Sequence, residues 1–580
     1  CMRQLSTIVL VFGLTIITQL IAQSEAKFSP RLQAELQTVT ATSNVISWIY
    51  FTDKGSRIDA KLERAEANLT PRAYQRRLRN RGENNLVDRY DIPVNTAYVR
   101  EIKTRVERIR HQSRWLNAVS VEANESQLNE IASLSFVNKL DLVIRGKRPD
   151  PEVVENVNLP QTGEATYSLD YGPSLTQNSQ INVPQLHDMG YNGSGVLVAM
   201  LDAGFNNLQH EALDHLNILH TWDFVNGDSI VSDQPGQMGT GNHGTYTLSA
   251  LAGFHETDLI GPAYGADFIL AKTENTDWER NIEEDHWVAG AEWADSLGAD
   301  IISSSLGYRN FDPGQISYTW QDMDGNTTVV TIGADIAASR GILVVNSAGN
   351  SGSATPPQNT LVAPSDGDSV VAVGAVDASG FRAGFSSMGP TADGRIKPDV
   401  MAMGVFTYCA SAFSPNGYAN VSGTSLSCPL AAGAAALILE INPNLTNYEI
   451  IQALRGTADN AANPNNSLGW GIIDTYAAAF NFTAVSDKPL TVPDKLTLHP
   501  AYPNPFNPRT TIRYSLPSQT QVSLSIYNLL GQKMITLLDK QQSAGEHQLV
   551  WEASELPSGV YYVALNASGQ QEVQRVVLLK

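Results

Sequence analysis

Val196-Leu-Val-Ala-Met-Leu201-Asp202-Ala-Gly204 is a run of six apolar residues that ends on an acid and, two residues on, a glycine. A strand with one wet face would alternate, so this run reads as a strand buried on both sides. Similar runs follow at Phe268–Ala271, Ile301–Ser304, Ile342–Val345 and Val370–Val376. Helical patterns lie between them, for example Trp278–Leu297 and Thr331–Arg340. Buried strands alternating with helices predict an α/β domain in three layers, a parallel sheet covered on both faces. In open sheets of this kind, sites assemble at the carboxyl ends of the strands. Asp202 falls at such an end, and Gly204 permits a sharp exit.

Two other short segments carry groups that Asp202 could serve. Asn242-His243-Gly-Thr245 opens a helical stretch that runs to about Ala252. A carboxylate beside His243 would fix its tautomer and stabilise its protonated form. Ser422-Gly-Thr-Ser425-Leu-Ser-Cys428-Pro429 opens the small and apolar run Ala431–Leu439, which reads as a buried helix. Pro429 is tolerated near a helix start, where its missing N–H is cheapest. Ser425 then lies at the positive end of a helix dipole, close to N–H donors that favour an oxyanion. Singly, each residue has a plain alternative: Asp as a strand-end cap, His as a helix cap, Ser as a turn former. Together, in this order and on this pattern, they read as a site.

His243-Gly-Thr and Gly423-Thr-Ser425-x-Ser-x-Pro429 resemble the motifs of the subtilisin-like serine peptidases, the subtilases. The order Asp, His, Ser is theirs as well. Ser347-Ala348-Gly349-Asn350 resembles the family's oxyanion segment, with Asn350 as side-chain donor. Ser305-Leu306-Gly307 resembles the strand that pairs with substrate backbone and walls the first specificity pocket. The resemblance covers roughly residues 185 to 480. It implies a catalytic Asp202, His243 and Ser425, an acyl-enzyme intermediate, and protein or peptide substrates. It implies no cofactor for the chemistry; the family often carries structural calcium, for which the sequence names no ligand. The chain departs from the pattern twice. Ala203 stands where a hydroxyl residue usually follows the aspartate, and Met403 stands where proline is usual. A catalytically silent binding or adhesion protein built on the same fold is the alternative, with Ala203 its only support.

Other motifs fail on context. Gly239-x-Gly241-x-x-Gly244 matches a dinucleotide fingerprint but follows the polar stretch Ser229–Gln237 rather than a buried strand. His210 and His215 are five apart, so a helix would not put them on one face for a metal. Asp322, Asp324 and Asn326 alternate like half a calcium loop but lack the closing Glu, and read as a solvated hairpin turn.

Composition sets the wider frame. The chain has 580 residues and a net charge of −20, too long for one core and too acidic for nucleic acid as its main partner. Residues 51–148 run against this balance, with 20 Lys/Arg to 13 Asp/Glu. The apolar run Leu5–Ala22 after Arg3, followed by small residues, reads as a signal peptide. Beyond Cys1 the cysteines are Cys409 and Cys428, which could pair or remain buried thiols.

The flanks complete the organisation. Strand patterns at Val45–Phe51, Ala118–Val121 and Val137–Val143, with a helix at Glu125–Ser133, predict a small α+β unit. This unit occupies the place of the family's pro-domain, which implies an intramolecular inhibitor whose basic charge suits an acidic partner. The C-terminal part shows strands of period two at Thr510–Leu516, Gln521–Tyr527, His547–Trp551 and Val560–Asn566, a small β-sandwich. It resembles the sorting domain of type IX secretion. The matching residues are Tyr502-Pro-Asn-Pro-Phe-Asn-Pro508, Thr511-Ile-Arg-Tyr-Ser-Leu-Pro517, Ile526-Tyr-Asn528, Gly531-Gln532, Gly545-x-His547, Trp551, Ser558-Gly-Val-Tyr561 and Leu579-Lys580. That likeness implies the type IX secretion machinery as partner, passage through the periplasm and across the outer membrane, and a secreted or cell-surface location. The expected layout is signal peptide 1–26, pro-domain 27–150, processing linker 151–184, peptidase domain 185–482, linker 483–495 and sorting domain 496–580.

Overall fold

The computed structural model describes residues 27–143, 145–146, 152–154, 167–275, 282–309, 318–353, 358–485 and most of 495–578. The expected signal peptide, residues 486–494 of the expected linker 483–495 and most of the processing linker up to residue 166 lie outside the described residues. The chain forms two compact units, Cys1–Asn481 and Phe482–Lys580.

The first unit begins with a four-stranded antiparallel sheet in the order Arg108–Ser113, Ala118–Ala123, Val45–Phe51, Val137–Leu142. Its central strand Val45–Phe51 is apolar almost throughout because both of its faces are covered. Val45, Ile49 and Phe51 pack with Leu128 and Ile131 of the helix Glu125–Ala132. Ile46 and Trp48 point the other way, into a core shared with Trp287, Val288 and Ala291. That alternation is the strand period of two serving two cores. The helix Glu125–Ala132 starts on a capping box formed by Asn124 and Gln127.

The helix Pro71–Arg81 has no counterpart among the patterns read from the sequence. Thr70 caps it by accepting from Ala73 N, and Pro71 sits in its first turn. It carries almost no apolar stripe, because its buried face is made of arginines that meet carboxylates.

The larger part of this unit is a seven-stranded parallel sheet. Its order is Val400–Met403, Val370–Val376, Leu343–Ser347, Ile301–Ser304, Leu197–Asp202, Asp267–Lys272, Asn217–Asp223. The helices Glu284–Leu297 and Val329–Ser339 pack against one face, over Leu197, Ala199, Leu201, Ile302 and Val344. The helices Asn242–Ala252 and Thr424–Ile441 pack against each other and cover the other face. The three-layer expectation holds. The strand Asn217–Asp223 escapes the sequence pattern because it is an edge strand and mostly exposed, with no apolar run.

Two expectations are revised. Part of the expected processing linker is packed structure: the short helix Leu175–Ser179 belongs to the body built on the parallel sheet. Asn178 Nδ2 donates to Ile260 O at 2.7 Å, and Gln177 Nε2 to Tyr408 O at 3.2 Å. Polar composition marks a linker there, but these polar side chains satisfy buried backbone carbonyls. The Asp322–Asn326 stretch is not a hairpin. Asp324 Oδ1 accepts from Asn326 N and Thr327 N, turning the chain into the helix Val329–Ser339.

The second unit is a sandwich of two antiparallel sheets, Thr497–Leu498 with Arg509–Leu516 and Gly545–Glu552, and Lys533–Gln542 with Thr520–Asn528, Gly559–Ala567 and Gln570–Leu578. Trp551, Phe506, Ile512, Leu524 and Val563 fill its core. Asn504 bonds to the last strand, donating to Arg575 O at 3.1 Å and accepting from Val577 N at 2.7 Å.

Candidate active site

Asp202 ends its strand with 1% of its side chain exposed. Oδ1 accepts from Ala203 N at 2.7 Å and stands 2.5 Å from His243 Nδ1. Oδ2 accepts from Thr247 Oγ1 at 2.9 Å. A carboxylate can only accept, so the imidazole proton sits on Nδ1 and Nε2 is left as the basic nitrogen. Sequence reasoning missed Thr247. It follows His243 by four residues, one helical turn, so both side chains leave the same face. The hydroxyl absent at Ala203 is thus supplied from the histidine's own helix.

Glycines bring these elements within reach. Gly204 has φ +124°, and a Cβ on it would stand 2.9 Å from Gly241 Cα. A Cβ on Gly244 would meet Gly204 O at 2.2 Å. The loop after Asp202 and the helix bearing His243 therefore touch backbone to backbone.

Ser425 is the second residue of the helix Thr424–Ile441 and is buried. Pro429 lies deeper in that helix than a first-turn proline. Lacking an N–H, it cannot bond the carbonyl four residues back, which is that of Ser425. Ser305 Oγ donates to that carbonyl instead, at 2.8 Å. This bond ties the end of the strand Ile301–Ser304 to the serine.

Asn350 is oriented by Thr424. Its Oδ1 accepts from Thr424 N at 2.9 Å and from Thr424 Oγ1 at 2.8 Å. The amide nitrogen is thereby turned to the serine's side. Asn350 Nδ2, Ser425 N and Ser425 Oγ lie 3.3, 3.7 and 3.7 Å from the point where a Cβ on Gly423 would be. Two N–H donors and the hydroxyl thus surround one small space, the arrangement an oxyanion needs.

The remaining predicted site residues lie at the same rim. Ser305–Gly307 and Ser347–Gly349 follow neighbouring parallel strands. Leu306 and Ala348 are buried, so their backbone, not their side chains, is what a substrate can meet. Gly349 N donates to Thr424 Oγ1 at 3.2 Å. Asn346 Nδ2 holds Leu306 O at 3.0 Å.

Cys428 and Cys409 are unpaired buried thiols. Burial pushes the Cys428 thiol up to about 12 and raises Cys409 as well, so neither is a thiolate near neutrality. His111, Asp285 and His286 bring potential metal-ligand atoms within 4.8 Å of one another. The Arg110 guanidinium occupies that cluster, with Nε 2.9 Å from Asp285 Oδ2 and Nη2 2.8 Å from His286 Nε2. A cation is already there.

A parallel α/β sheet with these groups gathered on one carboxyl rim defines a hydrolase of the serine-peptidase class. Comparison with known proteins specifies it. Residues 193–471 match the subtilase family, residues 46–155 the Peptidase S8 propeptide domain of Bacteroidota, and residues 500–579 the secretion system C-terminal sorting domain. Subtilisin DY of Bacillus licheniformis is 34% identical over 302 residues, 52% of this chain and 96% of the relative. Subtilisin NAT of Bacillus subtilis subsp. natto is 31% identical over 375 residues, 64% of this chain and 83% of the relative. Subtilisin Savinase of Lederbergia lenta is 30% identical over 301 residues, 52% and 96% respectively. The chain belongs to the subtilase family. It is the precursor of a subtilisin-like serine endopeptidase, with a propeptide region and a sorting domain that directs export by type IX secretion to the cell surface or beyond.

Proposed function

We propose that Asp202, His243 and Ser425 are the catalytic residues and that peptide bonds are cleaved through an acyl-enzyme. The observation that carries this is the 2.5 Å approach of His243 Nδ1 to Asp202 Oδ1, with Thr247 on the other oxygen. His243 Nε2 takes the Ser425 proton as Oγ attacks the scissile carbonyl. Asn350 Nδ2 and Ser425 N stabilise the resulting oxyanion. His243 then protonates the leaving amine, and water, deprotonated by the same nitrogen, releases the acyl group. Asp202 stays ionised and answers the imidazolium charge.

The pro-region acts, in this reading, as an intramolecular inhibitor that the enzyme cuts away between residues 150 and 185. The backbone of residues 152–154 supports this. It pairs antiparallel with Tyr418–Ser422, Glu152 opposite Ser422, three residues before Ser425. The silent-binder alternative loses its one support, since Thr247 supplies the hydroxyl that Ala203 lacks. A fluorophosphonate probe on the processed protein should label Ser425. The Ser425→Ala precursor should stay uncut in this region. No labelling, or trimming of that variant without added protease, would refute the assignment.

A further inference from the structure

The acyl side of the scissile bond can be placed from the site's own geometry. Its carbonyl carbon must reach Ser425 Oγ and its oxygen must face Asn350 Nδ2. The leaving amine must lie toward His243, which belongs with the strand Leu197–Asp202. The acyl residue therefore lies over the next two strands, between Ser305–Gly307 and Ser347–Gly349. Among the described residues, the gap between these two segments is where its side chain enters.

That gap is filled from within. A Cβ on Gly307 would stand 2.3 Å from Val362 Cγ2 and 2.9 Å from Val362 Cβ. A Cβ on Gly349 would stand 3.0 Å from Val362 Cγ1 and 3.1 Å from Cγ2. Both methyl groups of Val362 thus lie against both walls. Val362 is only partly buried, so part of it remains accessible.

Nor is the valine free to swing away. Val362 N donates to Ala348 O at 3.3 Å. Ala363 exchanges bonds with Tyr308 in both directions, at 3.2 and 2.9 Å. Arg309 Nη1 holds Leu361 O at 2.9 Å. A β-branched side chain on a backbone stitched to both walls has little rotameric freedom.

We infer that Val362 shortens the pocket for the acyl-side residue, so that this peptidase cleaves after small residues, Ala, Gly or Ser, and discriminates against aromatic and large aliphatic ones. The inference deepens the peptidase reading above and rests on it.

The test uses the processed full-chain product and two peptides that differ only in Ala or Phe at the acyl-side position. The wild type should favour Ala in kcat/KM by about 100-fold, within the range that a few methylene-sized differences produce in a pocket. Val362→Gly should shift the Ala-to-Phe ratio toward Phe by at least about tenfold. Val362→Ala should shift it in the same direction by less, and carries the test if the glycine variant does not mature. Fluorophosphonate labelling of Ser425 counts active sites in each preparation. A labelled wild type that cleaves after Phe as well as after Ala overturns the inference alone, as does a ratio that neither variant moves. A wild type with no labelling and no cleavage of either peptide overturns the peptidase reading and this inference with it.

Discussion

Two buried aspartates in the first unit do opposite things. Asp202 is 1% exposed, and its partners are an imidazole, a hydroxyl and a backbone N–H. Asp295 has a fully buried side chain and meets three guanidiniums, Arg76 at 2.5 Å and Arg77 and Arg114 at 2.8 Å. Burial alone would raise the Asp295 carboxyl, but the arginines outweigh it and hold it at about 2. Its charge is committed to partners that are always charged. The Asp202 carboxylate instead meets the imidazole of His243, and under the proposed mechanism it answers the positive charge that arises there. One carboxylate fastens the pro-region to the peptidase body; the other is left able to respond.

The contrast is tested most strongly at the triad. His243→Ala should lower kcat by about 10⁶-fold and Asp202→Asn by about 10⁴-fold, the losses that follow when the corresponding groups are changed in subtilisin and in other serine peptidases. Peptide hydrolysis by separately processed protein measures both.

Asp295→Ala should act on stability instead. It leaves Arg76 and Arg77 buried without their shared carboxylate, a loss of about 3–5 kcal/mol. Denaturant unfolding of the Ser425→Ala precursor, with and without the change, reads this. The processed enzyme should keep its kcat, because the arginines leave with the pro-region. A lowered kcat there would break the distinction between the two aspartates.

Thr247→Val should lower kcat about ten- to hundredfold with KM unmoved, since it removes one hydrogen bond to a charged group. Thr247→Ser should restore it. A valine variant at full rate would show that the hydroxyl is only structural.

The smallest effect expected is one of pH at the same interface. Burial lowers both His111, on the pro-region, and His286, on the helix Glu284–Leu297, below their usual 6.5. Asp285 opposes the shift at both, while Arg110 reinforces it at both and Arg108 at His111; Glu122 pairs with these arginines. The docked state therefore holds the neutral imidazoles, and the separated parts bind more protons below pH 6.5. Docking should be strongest above that pH and weaken as the pH falls below it. The thermal midpoint of the Ser425→Ala precursor between about pH 8 and 5 should show that slope, and His111→Gln should flatten it.

How far each aspartate is legible follows from the same difference. Asp202 ends a continuous apolar strand, and His243 and Ser425 sit in short glycine-bearing motifs, so local pattern points to all three. Asp295 gives no such signal. Two of its three arginines, Arg76 and Arg77, lie in Pro71-Arg-Ala-Tyr-Gln-Arg-Arg-Leu-Arg, which reads as solvated charge, and the whole helix stays hidden because no apolar stripe marks it. The strands Lys533–Gln542 and Gln570–Leu578 escape for a related reason: both are mostly exposed, leaving little alternation to detect.

Sequence alone determined five of the seven strands of the sheet, the helices that cover them and the candidate site residues, because burial on both faces and tight backbone approach restrict residue type position by position. Only tertiary structure decided what acts from a distance. Thr247 replaces the hydroxyl missing at Ala203, Ser305 satisfies the carbonyl that Pro429 orphans, and Val362 fills the gap between two glycine walls. Each depends on which segments meet in space, and neither composition nor period carries that information.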